Sequence, residues 1–191
     1  KFNKGAFKNK LKKYIEEPKK HVVNSNILIY LYIAWVANFI VYFAGGATMN
    51  IFPKIARIEG IPDGQIGMIL ALINIGQGLT FFFLSKTVFW HYKFLPIIGF
   101  QGISTVGLFL LGISSNRLGY IFGMLFQGLG RGMAYTSSLY YGLSASEAKG
   151  ANTGIHEMLI GLSLAFGPLF GGVVAQNISL KSTFHFSAII L

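Results

Sequence analysis

Four polar side chains recur at helical spacing inside an otherwise apolar stretch: Gln127, Arg131, Tyr135 and Ser138. The stretch, residues 118–143, is long enough to cross a lipid bilayer, and Arg131 falls near its middle. An ionisable group at that depth is costly and therefore indicates a function. Its guanidinium could bind an anionic ligand group through two parallel hydrogen bonds, or serve as counter-ion to a carboxylate. The structural alternative is an arginine bonded to backbone carbonyls of neighbouring helices.

Two adjacent ionisable residues, His156 and Glu157, lie near the start of the next apolar stretch. A buried carboxylate could carry a proton there, and the histidine beside it could relay that proton. The alternative is a gate at the membrane surface, in which Glu157 bonds loop backbone or Lys149. Neighbouring residues on a helix point about 100° apart, so both side chains cannot fully face one cavity.

Further polar side chains lie on the first two apolar stretches. Trp35, Asn38 and Tyr42 share one helical face, and Asn74 and Gln77 share another. They could hydrogen-bond and stack on a ligand, or they could bond neighbouring helices to one another. Tyr140 and Tyr141 are expected to be aromatic residues of the membrane interface.

The composition shows which elements must position these residues. Hydrophobic residues make up 53% of the 191 and charged residues 12%, and the mean hydropathy is +0.57. These values predict an all-α membrane protein. Transmembrane helices are expected at about 26–52, 64–84, 94–113, 118–143 and 151–175, with a partial sixth at 183–191. Nine residues of helix span only about 13 Å, so we expect a truncated sixth helix in a fragment of a longer chain.

The first 25 residues form a separate basic segment before the bundle at 26–191. Residues 1–20 contain eight lysines, which predicts an amphipathic helix on an anionic membrane surface or a solvated linker. The segments expected on the same side of the membrane as the N-terminus carry eleven basic residues, and those expected on the opposite side carry four. The asymmetry places the basic segment in the cytoplasm, at a plasma or inner membrane, and disfavours a nucleic-acid partner.

A motif of small residues and proline marks the fifth predicted helix, comprising Gly154, Ser163, Gly167, Pro168, Gly171 and Gly172. Small residues three or four apart let helices approach closely, and proline bends a helix. The motif resembles that of the fifth helix in antiporters of the major facilitator superfamily, with Ser163 where glycine is usual.

The resemblance also indicates which half of that fold is present. The segment 84–93 lacks the acid and glycine that the superfamily places between the second and third helices of its N-terminal half, and Met124 stands at the arginine position of a fourth-helix motif. Both departures favour the C-terminal half, helices seven to twelve, preceded by the cytoplasmic linker. The resemblance implies that the first, second, fourth and fifth helices line a central cavity.

The function that these features predict is secondary active transport of a small solute by alternating access. We expect coupling to an ion gradient, with the proton as the first candidate ion. The expected partners are the solute, the lipid bilayer and the other half of the same polypeptide. A membrane sensor or scaffold that retains the fold without transporting is the alternative. Motifs of hydrolases, metalloproteases and nucleotide-binding loops are missing from the sequence, so no enzymatic activity, metal or cofactor is predicted.

Overall fold

The computed structural model describes residues 25–145 and 148–191, which form six α-helices and no strand. The helices are α1 (Ser25–Ile58), α2 (Asp63–Ser85), α3 (Phe94–Ile113), α4 (Arg117–Ala145), α5 (Lys149–Asn177) and α6 (Ser182–Ile190). The predicted all-α six-helix bundle is confirmed. Helix α1 continues past the predicted end at 52, since Ile55 and Ala56 are buried in the core. The basic segment 1–25 stays a prediction, because residues 1–24 lie outside the described part of the chain.

Four of the described helices, α1, α2, α3 and α5, are long and apolar enough to cross a membrane. Helix α4 is not among them, although it has 29 residues, because polar and glycine residues lower its hydropathy. It packs against α1, α2, α3 and α5. Its polar side chains can therefore face protein, and Gln127 and Ser138 are fully buried.

Glycines allow α4 to lie very close to α2 and α3. A Cβ atom on Gly76 of α2 would be 2.5 Å from the Leu125 carbonyl oxygen and 3.1 Å from the Gly128 Cα of α4. On the α3 side, a Cβ atom on Gly130 would be 2.5 Å from the Ser104 Cβ. Any larger side chain at these positions would separate the helices.

Helices α1 and α5 pack through the small residues of the predicted motif. The Ser163 hydroxyl donates to the Phe39 carbonyl oxygen over 2.9 Å. A Cβ on Gly167 would overlap the Phe43 carbonyl oxygen, and one on Gly171 would lie 3.1 Å from the Ala47 Cβ. The motif therefore provides a flat face for α1.

The other members of the motif have different surroundings. Pro168 lies inside α5, and its Cδ would be 3.1 Å from a Cβ on Gly46 of α1. A Cβ on Gly154 or Gly172 would meet no atom of the described residues within 4 Å. Each lies nine positions from Ser163, about two and a half turns, and so points to the opposite side of α5. Within the described bundle these two glycines do not take part in close packing.

Hydrogen bonds join the connections at both ends of the bundle. At one end, Lys181 Nζ lies 3.0 Å from the Glu59 carboxylate, to which the Tyr120 hydroxyl donates over 2.6 Å. At the other end, Tyr92 has a positive φ of 55°, and its backbone N–H donates to the Tyr141 hydroxyl over 2.9 Å. The expectation that Tyr141 is an interfacial aromatic is wrong, because it has no exposed surface.

Candidate functional site

Arg131 occupies the centre of α4, with fourteen helix residues on either side of it. Its guanidinium carbon lies 4.2 Å from the centre of the Tyr42 ring of α1, a cation–π arrangement that holds the side chain against that helix. Its Nε is buried and has no hydrogen-bond partner among the described residues. The arginine is therefore positioned by an aromatic face and keeps donor capacity.

Gln77 of α2 completes this part of the site, since its Nε2 donates to the Tyr42 hydroxyl oxygen over 3.0 Å. Three helices thus contribute adjacent polar groups, although Tyr42 and Gln77 are far from Arg131 in the sequence. Asn74 lies about one turn before Gln77 on α2 and is exposed. We define Arg131, Tyr42 and Gln77 as the arginine cluster.

A second cluster follows along the same face of α4. The rings of Tyr135 and His156 meet edge to face, with centroids 4.7 Å apart, and the Tyr135 ring is 6.5 Å from that of Tyr42. The Ser138 hydroxyl lies 2.7 Å from His156 Nδ1. Tyr135 therefore links the arginine cluster to the histidine of α5.

The two ionisable residues of α5 differ in exposure. His156 is fully buried, whereas 59% of the Glu157 side chain is exposed, and Nε2 of the histidine lies 3.7 Å from the carboxylate. Glu157 is thus beside His156, with its carboxylate open to the surroundings of the bundle. We define His156, Ser138, Tyr135 and Glu157 as the histidine cluster.

Three predicted site residues besides Asn74 lie outside both clusters. Gln127 is fully buried, and its Nε2 donates to Thr48 Oγ1 of α1 over 3.1 Å. Asn38 is also fully buried, and neither its amide nitrogen nor its amide oxygen has a partner among the described residues. Trp35 is half-buried against the Tyr32 ring, with centroids 5.7 Å apart. Sequence reasoning missed Thr48, because a lone threonine between apolar residues gives no signal of a distant partner.

The two clusters lie next to each other along α4, and together we call them the polar wall of the bundle. A separate cleft of about 550 Å³ lies between α1 and α3, and none of the predicted site residues lines it. No three His, Asp or Glu residues of the described chain are grouped so as to hold a metal ion. The residues of the wall with exposed surface are Arg131, Gln77, Tyr135 and Glu157, whereas His156 and Ser138 are fully buried.

The fold and the wall together define a polytopic helical membrane protein with an ionisable site at mid-helix depth. Comparison with known proteins identifies the class further, because the sequence profile of the Major Facilitator Superfamily matches residues 20–191. The chain belongs to this superfamily, as the motif on α5 had indicated.

Two curated proteins illustrate the likeness. The "MFS-type transporter gkaD" of Penicillium citrinum is 33% identical over 92 residues, which are 47% of this chain and 16% of the relative. The "Proton-coupled antiporter flippase LtaA" of Staphylococcus haemolyticus is 28% identical over 152 residues, which are 75% of this chain and 38% of the relative. The chain thus spans well under half the length of these relatives.

Proposed function

We propose that the chain is one half of a secondary transporter that moves a small solute across the membrane by alternating access. The observation that carries this proposal is the arginine cluster: a cation at the centre of α4 lies over the ring of Tyr42 of α1, and Gln77 of α2 donates to the hydroxyl of that tyrosine. An ionisable residue inside a membrane bundle marks a solute or ion pathway by default. Solute sites of such transporters lie near the bilayer midplane, where two bundles rock about them.

The arrangement of the rest of the molecule follows from this proposal. The bundle is the C-terminal half, and the other half of the same polypeptide covers the wall formed by α1, α2, α4 and α5. Gly154 and Gly172, which have open space around them, then lie on the part of α5 that is free to approach this second bundle. The basic N-terminal segment is cytoplasmic, at a plasma or inner membrane.

Proton coupling is the second part of the proposal. The relative from Staphylococcus haemolyticus is named a proton-coupled antiporter, and the histidine cluster supplies groups that can hold a proton. Glu157 accepts the proton from the open side, and His156, whose Nε2 lies 3.7 Å from that carboxylate, relays it inward. Tyr135 of the histidine cluster lies beside Tyr42 of the arginine cluster, so binding of a solute at one cluster can affect the proton at the other.

The test is flux through the full-length protein in proteoliposomes that contain a pH-sensitive dye. A solute panel is added with and without an imposed pH gradient, and proton movement and solute uptake are recorded together. We expect Glu157→Gln and His156→Gln to abolish the effect of the gradient while solute exchange without a gradient persists. His185→Gln on α6 and Asp63→Asn at the start of α2 are the matched controls and should retain coupling.

Two results would contradict the proposal in different ways. If the gradient drives uptake equally well in both histidine-cluster variants, these residues do not carry the proton. If no solute of a broad panel crosses the membrane under any condition, the chain is the sensor or scaffold of this fold and transport is excluded.

A further inference from the structure

We infer that the arginine cluster recognises its solute through an anionic group, a carboxylate or a phosphate. This inference rests on the proposed function, since it names the class of solute that the proposed site takes. It follows from the hydrogen-bonding character of the cluster and from the charges of the described chain.

The cluster presents donors. Arg131 can only donate, and its buried Nε has no partner among the described residues. Gln77 Nε2 donates to the Tyr42 oxygen over 3.0 Å, so the Tyr42 hydroxyl hydrogen remains available for an acceptor outside the pair. A ligand group that satisfies these donors must bring acceptor oxygens. The fork of N–H groups on a guanidinium matches the two oxygens of a carboxylate or phosphate.

The charge of Arg131 is not neutralised by the described residues. None of their three carboxylates forms an ion pair with it: Asp63 pairs with Arg57, Glu59 pairs with Lys181, and Glu157 lies beside His156. A cationic solute would be repelled, and a neutral one would leave the guanidinium without a counter-charge as the second bundle closes over it. An anionic group both compensates this charge and fills its donors.

The cation–π contact makes the geometry specific. With its guanidinium carbon 4.2 Å from the Tyr42 ring centre, Arg131 is held against the aromatic ring, and less rotational freedom is lost when an anion binds. A lysine at this position would keep the charge but lose the planar fork. We therefore expect a lower affinity for the anion when lysine replaces Arg131.

The test measures binding to the purified full-length protein in nanodiscs by thermal stabilisation, at fixed ionic strength. Benzoate, benzamide and benzylammonium have similar shape but differ in charge, and glycerol 3-phosphate is compared with glycerol. We expect benzoate or glycerol 3-phosphate to stabilise the protein and the neutral and cationic probes to do so much less. The preference between benzoate and glycerol 3-phosphate distinguishes a carboxylate solute from a phosphate one.

Variants assign the effect to the cluster. Arg131→Gln should weaken anion binding by about 10- to 100-fold, the usual contribution of charge-assisted hydrogen bonds. Arg117→Gln, at the exposed start of the same helix, is the matched control and should bind as the wild type does. Arg131→Lys should lie between the two, and it replaces Arg131→Gln in the comparison if the latter does not fold.

The outcomes separate this inference from the proposed function. The inference is overturned if benzamide or benzylammonium stabilises the protein as much as the anions do, or if anion binding is unchanged in the Arg131 variants. It is also overturned if the wild type binds no anion, and Arg131 would then be the counter-ion of a carboxylate in the other half. Flux of a neutral or cationic solute that survives Arg131→Gln would likewise overturn it while transport stands. Arginine-dependent anion binding without any flux would support the anion site and remove transport.

Discussion

The contact between α2 and α4 gives a prediction that can be worked from atomic distances. An alanine at Gly76 would place its Cβ 2.5 Å from the Leu125 carbonyl oxygen, whereas ordinary van der Waals contact begins at 3.4 Å, so the helices must separate by about 0.9 Å. The obstacle is backbone, which cannot turn aside as a side chain would. Overpacking of this kind costs about 1–3 kcal/mol. Gly76→Ala should therefore destabilise the bundle.

The matched control is Gly78→Ala on the same helix, where the added Cβ would meet nothing within 4 Å. Both variants gain up to about 1 kcal/mol of helix propensity, so the difference between them isolates the steric term. The measurement is the free energy of unfolding of the purified full-length protein, titrated from mild detergent into sodium dodecyl sulfate. Equal stability of the two variants would mean that α2 and α4 do not approach each other as described, and the position of Gln77 beside Tyr42 would lose its support.

Two further substitutions test the ends of the bundle, in the same unfolding titration. Tyr141→Phe removes the acceptor of the Tyr92 N–H and should cost about 1 kcal/mol; stability equal to wild type would show that the hydroxyl is dispensable to the left-handed turn. Glu59→Gln leaves the part-buried Lys181 without its carboxylate and should cost about 1 kcal/mol or more, whereas Asp63→Asn breaks an exposed pair and should have little effect. If Asp63→Asn lowers the free energy of unfolding more than Glu59→Gln does, the exposed pair stabilises the bundle more than the part-buried pair, contrary to this prediction.

The sequence predicted the bundle well because the signals for it are local. Apolar runs of bilayer length determine helices without reference to distant residues, and turn residues such as Gly60, Pro62 and Ser114 mark two of the connections. The motif on α5 could also be recognised from the sequence, since its small residues recur at helical spacing. The division of that motif into a packed face at Ser163, Gly167 and Gly171 and an open face at Gly154 and Gly172 needed the position of α1.

The site was predictable only in part, because its partners come from different helices. Helical spacing placed Gln127, Arg131 and Tyr135 on one face of α4, but it could not indicate that Arg131 would stack on Tyr42 or that Gln127 would bond Thr48. Such pairings depend on how helices rotate about their axes, which glycine contacts on other faces determine. Helical spacing also grouped Asn74 with Gln77, although only Gln77 meets Tyr42, because spacing within one helix does not show which residue faces a neighbouring helix.

The composition of α4 explains why one helix carries both the packing and the site. Gly128 approaches α2 and Gly130 approaches α3, while Arg131 and Ser138, on other faces, meet Tyr42 of α1 and His156 of α5. A helix enclosed by four others can hold polar groups that would be costly against lipid. The same glycines that lower its hydropathy bring α2 close enough for Gln77 to reach Tyr42. Close packing on two faces of α4 therefore produces the polar wall on the other two. A substitution that separates α2 from α4 should displace Gln77 and have a smaller effect on the histidine cluster.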